Sequence, residues 1–268
     1  ALEGQKKVFI PNCVTALPMA GSGSRFSKEG YDAPKPFIQV NGKNMMDQAI
    51  KCLPNTESII FACLKKHKDT APVGNIVWID EILPGQACTT ERIINTIDLE
   101  ESILISACDN GMFYDADNFL NLVNNIENDI IVWSYRNNYT SYYNPNMYSW
   151  LDVDNEGIVK KVNVKNFTGK NPLDEYAIVG TMFFRNKNIY INSLQKLYEK
   201  NVRTNGEFYI DNLLNEAIQL GYIVRNFEID EYICWGTPND LKTYEYWQTF
   251  FNKVNWHPYE YDKDYFTN

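Results

Sequence analysis

Two hydrophobic rhythms alternate along the first half of this chain. Short, nearly continuous apolar runs at 14–17, 58–64, 76–79, 103–108 and 130–135 read as buried strands. Between them, apolar residues recurring every three or four positions at 45–53, 89–97 and 115–126 predict helices with one buried face. Strand and helix in strict alternation imply an α/β fold, with a mostly parallel sheet covered by helices on both faces. After Asn144 the rhythm changes, and 147–153 and 158–164, joined by a turn from Asp154 to Gly157, predict a β-hairpin. A strand at 178–184, helices near 188–198 and 210–220, a strand at 222–229 and an aromatic-rich helix at 241–254 complete the pattern. The first six or so residues are patternless and are expected to form an unstructured leader.

No internal repeat or linker interrupts this order, so 1–268 is expected to be one domain, with a first half over about 8–135, a second over about 136–240 and a tail over 241–268. A hydrophobic content of 44% over 268 residues is enough for a full core. Apolar runs stay well short of the roughly 20 residues of a membrane span, and no signal-peptide layout is visible, which predicts a cytoplasmic protein with no membrane partner. The net charge of -9 argues against a nucleic-acid partner, because phosphate backbones are held by broad basic surfaces. The tail aromatics Trp256, Tyr259, Tyr261 and Phe266 are expected to pack on the core, a homodimer contact being the alternative.

Composition also narrows the chemistry. Six cysteines without a Cys-x-x-Cys pair read as reduced core residues, and Cys63 with His67 lacks the second pair that a zinc site needs. With His67 and His257 as the only histidines, Lys, Arg and carboxylates must supply the chemistry. The block from Met19 to Pro36 concentrates such residues. Gly21 and Gly23 allow a tight turn in which the N–H groups of Ala20, Gly21, Ser22, Gly23 and Ser24 approach a phosphate chain. Arg25 can fork onto phosphate oxygens, and Lys35, stiffened between Pro34 and Pro36, can aim a point charge at the same place. No Gly-Lys-Ser/Thr follows, which excludes a Walker A loop, and Phe26 occupies the third glycine position of a dinucleotide fingerprint. A surface turn with unrelated basic residues is the plain alternative.

The same block, Pro18 to Phe26 followed by Pro34 to Pro36, resembles the signature of the sugar-phosphate nucleotidylyltransferases and related pyrophosphorylases, and is closest to the capsule and surface-glycan branch. The resemblance runs from about Val14 to Leu241 and implies a glycosyltransferase-A-like, Rossmann-like three-layer sandwich. It further implies a Mg²⁺-dependent enzyme that joins a nucleoside triphosphate, CTP or UTP favoured, to a small phosphomonoester such as a sugar 1-phosphate and releases pyrophosphate. On this reading 8–135 binds the nucleotide and 136–240 the acceptor.

Within it, Gly85 and Gln86 match a base-reading turn, although they also fit an ordinary helix-capping loop with Thr89 or Thr90 as cap. Asp109, at the end of a hydrophobic strand, is the expected Mg²⁺ ligand, a helix cap being its plainer role. Lys165 falls where the family binds the acceptor phosphate, with Val164 in place of the usual acid; Gly180 and Glu207 match acceptor-contacting positions. Trp235 to Pro238 matches a motif whose preceding metal-binding Asp is Cys234 here, so either Asp109 and substrate oxygens alone hold the Mg²⁺ or a nearby acid such as Asp230 or Glu231 contributes. A glycosyltransferase using a nucleotide-sugar and a catalytically silent nucleotide binder are the competing readings.

Overall fold

The structure, a computed structural model, describes residues 4–98 and 100–267. The first half comprises β1 (Phe9–Pro18), α1 (Ser24–Lys28), β2 (Gln39–Val40), β3 (Lys43–Asn44), α2 (Met45–Cys52), β4 (Asn55–Leu64), β5 (Asn75–Ile79), α3 (Gln86–Ile94), β6 (Ser102–Ile105), β7 (Asn110–Phe113), α4 (Ala116–Asn124) and β8 (Ile130–Tyr135). The second half adds α5 (Tyr139–Tyr143), β9 (Trp150–Val153), β10 (Val159–Asn163), β11 (Tyr176–Phe184), α6 (Lys187–Glu199), α7 (Ile210–Gln219), β12 (Val224–Glu228), β13 (Glu231–Cys234) and α8 (Pro238–Lys253).

The central sheet runs β12-β8-β11-β6-β1-β4-β5. β5, β4, β1 and β6 are mutually parallel, as are β8 and β12, and β11 lies antiparallel between the two groups. The fold is therefore α/β with a mixed, mostly parallel sheet. Ala177 pairs with both Tyr135 of β8 and Trp150 of β9, and Met182 with both Val132 of β8 and Ile105 of β6. One edge of β11 thus faces β8 alone, with a shift in register between Ile178 and Met182, while the other passes from the β9–β10 hairpin to β6.

Period-2 alternation explains why continuous apolar runs form this sheet. Ile103, Ile105, Ile130 and Val132 join one core with Ile93 of α3, Leu194 of α6 and Leu213 of α7. Leu104, Ile131 and Trp133 point into a second core with Met45 of α2, Phe119 of α4 and Leu241 of α8. Neither face is left to water. Among the described residues, no helix is long and apolar enough to cross a membrane.

Several expectations require correction. Part of the expected leader lies outside the described residues, but Gln5 is 8% exposed and anchored: its Nε2 donates to the Tyr114 carbonyl at 3.0 Å, and its Oε1 accepts from Tyr114 N–H at 2.9 Å. The strand expected at 103–108 leaves the sheet at Ile105. Beyond it, β7 pairs antiparallel with β13 in a separate two-stranded ribbon that the hydrophobic pattern did not predict. α3 starts at Gln86 behind Gly85, so neither Thr89 nor Thr90 is its cap. In the tail, Phe266 is 1% exposed within the second core, whereas Trp256 is 74% exposed.

Candidate active site

Parallel strands deliver their C-terminal ends to one edge of the sheet, and here β1 and its neighbour β6 end side by side. The loop after β1 turns at Gly23, whose φ of 60° is left-handed and suits glycine. Its carbonyl accepts from Phe26 and Ser27 N–H, which starts α1. Phe26 is buried and packs edge-on against Tyr31 at 5.1 Å, so its neighbour Arg25 projects outward. Gly21 does not need its glycine for the fold: a Cβ there would meet nothing within 4 Å.

Pro34 (φ -57°) leads into a short 3₁₀ turn at Lys35–Phe37, with Pro36 buried beneath. The Lys35 backbone is thereby held, and its Nζ lies 2.5 Å from Asp109 Oδ2, both side chains being 24% exposed. Burial alone would disfavour both charges, but mutual attraction prevails: the Asp109 carboxyl is held below its ordinary value and the Lys35 ammonium above its own. Trp235 N–H fixes the Asp109 carbonyl at 2.9 Å, and Gly236 packs so close that a Cβ there would lie 3.0 Å from Asp109 Oδ2.

Arg25, Lys35, Asp109, Gly85, Gln86 and Glu207 line a single cavity of about 370 Å³. The whole glycine loop, Ala20, Gly21, Ser22, Gly23 and Ser24, lines the same cavity. Gly85, at φ 120°, allows a close crossing: an added Cβ would lie 2.5 Å from the Phe208 carbonyl oxygen. Phe208 N–H donates to the Pro84 carbonyl at 2.9 Å, and Ala87 N–H to the Phe208 carbonyl at 3.0 Å. This pair of bonds brings Glu207 beside Gln86, and nothing in the local sequence around Phe208 announces it.

Lys165 arrives from the end of β10 with φ 51°. Its backbone N–H donates to Ser149 Oγ at 3.3 Å, and its Nζ donates to the Met147 carbonyl. Burial pushes its ammonium down from the ordinary value, Asp211 opposes this, and the fields of Arg25, Asp109 and Lys35 reach it. Gly180 is not on the cavity wall. It sits behind Ala107, whose N–H donates to its carbonyl at 3.1 Å, and a Cβ at φ 98° would press on Ala107 at 3.2 Å. Its visible role is to seat the loop that carries Asp109.

At the altered motif, burial pushes the Cys234 thiol up to about 12, so it remains neutral and offers a hard cation no charged ligand. The acid beside it is Asp240, which sequence reasoning missed: its Oδ2 accepts from Thr237 Oγ1 at 2.6 Å and from Cys234 Sγ at 3.5 Å. Of the expected substitutes, Asp230 lines a different cavity with Arg225 and Glu228, and Glu231 is exposed and pairs with Phe113 in the ribbon. Among the described residues no group of three or more His, Cys, Asp or Glu side chains could enclose a metal. Asp109 fits a cation shared with ligand oxygens, since Mg²⁺ often takes one or two carboxylates and leaves its other positions to phosphates and water.

The sequence matches no family model and no curated protein. Among solved structures it is similar to the nucleoside-diphosphate-sugar pyrophosphorylase from Vibrio cholerae RC9, at 20% identity and TM-score 0.66, over 86% of this chain and 98% of that one. It is similar also to the inositol-1-phosphate CTP transferase from T. maritima, at 17% identity and TM-score 0.66, over 91% of this chain and 98% of that one. At these identities the likeness establishes a shared fold.

Proposed function

We propose that this chain is a Mg²⁺-dependent nucleotidyltransferase, joining a nucleoside triphosphate to a small phosphomonoester with release of pyrophosphate. The observation that carries this reading is the convergence of an open glycine loop, Arg25, Lys35 and Asp109 on one cavity. The names of the two structural neighbours agree with it, and the CTP transferase among them favours a pyrimidine triphosphate. The sequence resemblance to the surface-glycan branch suggests a cytoplasmic supply of activated precursors.

The acceptor's phosphate oxygen attacks the α-phosphorus, a P–O bond forms to it, and the bond to the leaving pyrophosphate breaks. With a second phosphate pKa of about 6, the acceptor is largely dianionic near neutrality, so no general base is required. The barrier is then repulsion between anions and charge spreading over the transferred group, which favours positioned cations. Arg25 and the N–H groups of the 20–24 loop hold the leaving pyrophosphate, and Lys35 stabilises the α-phosphoryl charge. Gly85 and Gln86 read the base, while Lys165 and Glu207 orient the acceptor. Asp109 would hold a Mg²⁺ ion, which would supply charge neutralisation at the phosphates.

The test is pyrophosphate release from CTP, UTP, ATP and GTP against a panel of phosphomonoesters. Release with at least one pair supports the reading, and none with any pair overturns it. The presence of Cys234 where the motif has an acid specifically favours one second reading, a silent nucleotide binder, which tight triphosphate binding without release would establish.

A further inference from the structure

Beside the cavity just described lies a second and larger one of about 650 Å³. Five tyrosines and one tryptophan line it, with Asp240 as the one charged residue among its described lining and no Lys, Arg or His. The first cavity differs in holding two cations, Arg25 and Lys35, beside the carboxylates Asp109 and Glu207.

The second cavity meets the first at Cys234 and lies next to Lys165, which is not on the first cavity's wall, at Met147. Met147 lines the second one and offers its carbonyl to Lys165 Nζ, the group assigned to the acceptor phosphate. Cys234 also lines it, and its Sγ accepts at 3.4 Å from the N–H of Gly236, a residue of the first cavity's wall. An acceptor with its phosphate at Lys165 would therefore lie beside this space.

Several of the rings are held in place before any ligand arrives. Tyr232 stacks on the buried Tyr135 at 4.1 Å and 6°. The Tyr244 hydroxyl accepts from Asn41 Nδ2 at 3.1 Å and from Gln248 Nε2 at 2.8 Å. Burial pushes the Tyr148 and Tyr232 phenols up from their ordinary value, so both stay neutral. Asp240 is fixed by Thr237 at 2.6 Å. Aromatic walls with one carboxylate and no competing cation match a substituted ammonium, which gains from ring quadrupoles and from the carboxylate. A hydroxyl-rich acceptor could donate hydrogen bonds to Asp240 but would bring no positive charge to pair with it or to face the rings.

We infer that the acceptor is a phosphomonoester bearing an organic cation, its ammonium group seated in the cavity of Tyr148, Tyr232, Tyr244, Trp247 and Asp240. The inference rests on the transferase reading for the phosphate end alone, and binding can be measured without turnover. Calorimetry with phosphocholine and its neutral carbon isostere, 3,3-dimethylbutyl phosphate, tests it on the full chain. Phosphocholine is expected to bind about tenfold or more tighter, with the preference shrinking toward unity in Asp240→Asn and in Trp247→Leu. Equal binding, a preference for the isostere or for glucose 1-phosphate, or no binding of phosphocholine overturns the inference. Pyrophosphate release, measured in parallel, decides the transferase reading separately: release with glucose 1-phosphate alone sinks the cation cavity and keeps the transferase, while selective binding without any release does the reverse.

Discussion

Lys35 and Asp109 keep each other charged over the whole range in which a phosphate-handling enzyme works. Asp109 titrates below its ordinary 3.8, so its share of the pair's stabilisation is present above that value and is lost as pH falls through the lower folded value. Lys35 titrates above its ordinary 10.5, so its share is present below that value and is lost as pH rises through the higher one. Neither group then produces the acid limb of activity. The limb should fall at about pH 6, where the acceptor phosphate takes up its second proton. A phosphonate acceptor of higher second pKa should move the limb upward in a kcat/KM profile; an unmoved limb assigns it to the protein. Lys35→Ala should reduce kcat by about a hundred- to a thousandfold. It leaves Asp109 partly exposed to water, so circular dichroism should record a stability loss of only about 1 kcal/mol. Gly21→Ala separates fold from function at the same scale. With open space around its Cβ, stability should stay within about 0.5 kcal/mol. Triphosphate affinity, measured by calorimetry, should weaken about tenfold if N–H groups there touch phosphate.

Among the elements, those whose information is local were readable from sequence. β8 is buried at every position and α4 carries its own cap, the Asp115 side chain accepting from Asp117 and Asn118 N–H. The block that places Arg25 and Lys35 was equally readable, because the short stretch between them, bounded by a left-handed glycine and two prolines, confines both cations to one region of the chain. The β7–β13 ribbon was not. Asn110 to Phe113 contains a glycine and reads as loop, and becomes strand only by pairing with Glu231 to Cys234, far along the chain. Asp240 and Phe208 escaped notice for the same reason, since each reaches the site through the fold rather than through a local signal. The crossing at Phe208 yields a prediction of its own. Gly85→Ala forces a Cβ to 2.5 Å from the Phe208 carbonyl at a φ that side chains rarely adopt. Stability by urea denaturation should drop by about 2–4 kcal/mol. Base and acceptor affinities should weaken together, because the turn carrying Gln86 and the segment carrying Glu207 share those two backbone bonds. Loss of nucleotide affinity alone would show that the crossing does not couple them.

At the scale of the molecule, the cavity is walled mostly by the first half of the chain and completed by Glu207 and Gly236 from the second. Its walls come from 18–26, 35–36, 82–89, 107–109, 207 and 236, and β11 lies against both β6 and β8 across the middle of the sheet. A ligand bridging these segments stabilises everything that must be folded to hold them, so nucleotide binding and global unfolding are linked. Calorimetric unfolding should therefore show one transition. CTP with Mg²⁺ at about 100 times Kd should add about 2.7 kcal/mol, which raises Tm by about 5 °C for a chain of this size. Asp109 is the one protein carboxylate assigned to the metal, so the ion's binding would depend on oxygens of the nucleotide beyond its waters. Chelation by EDTA should then remove most of the nucleotide-induced shift while leaving the Tm of the free protein in place. A shift that survives chelation would place the triphosphate on Arg25, Lys35 and the loop alone; two separate transitions would show that the halves fold independently despite sharing the sheet.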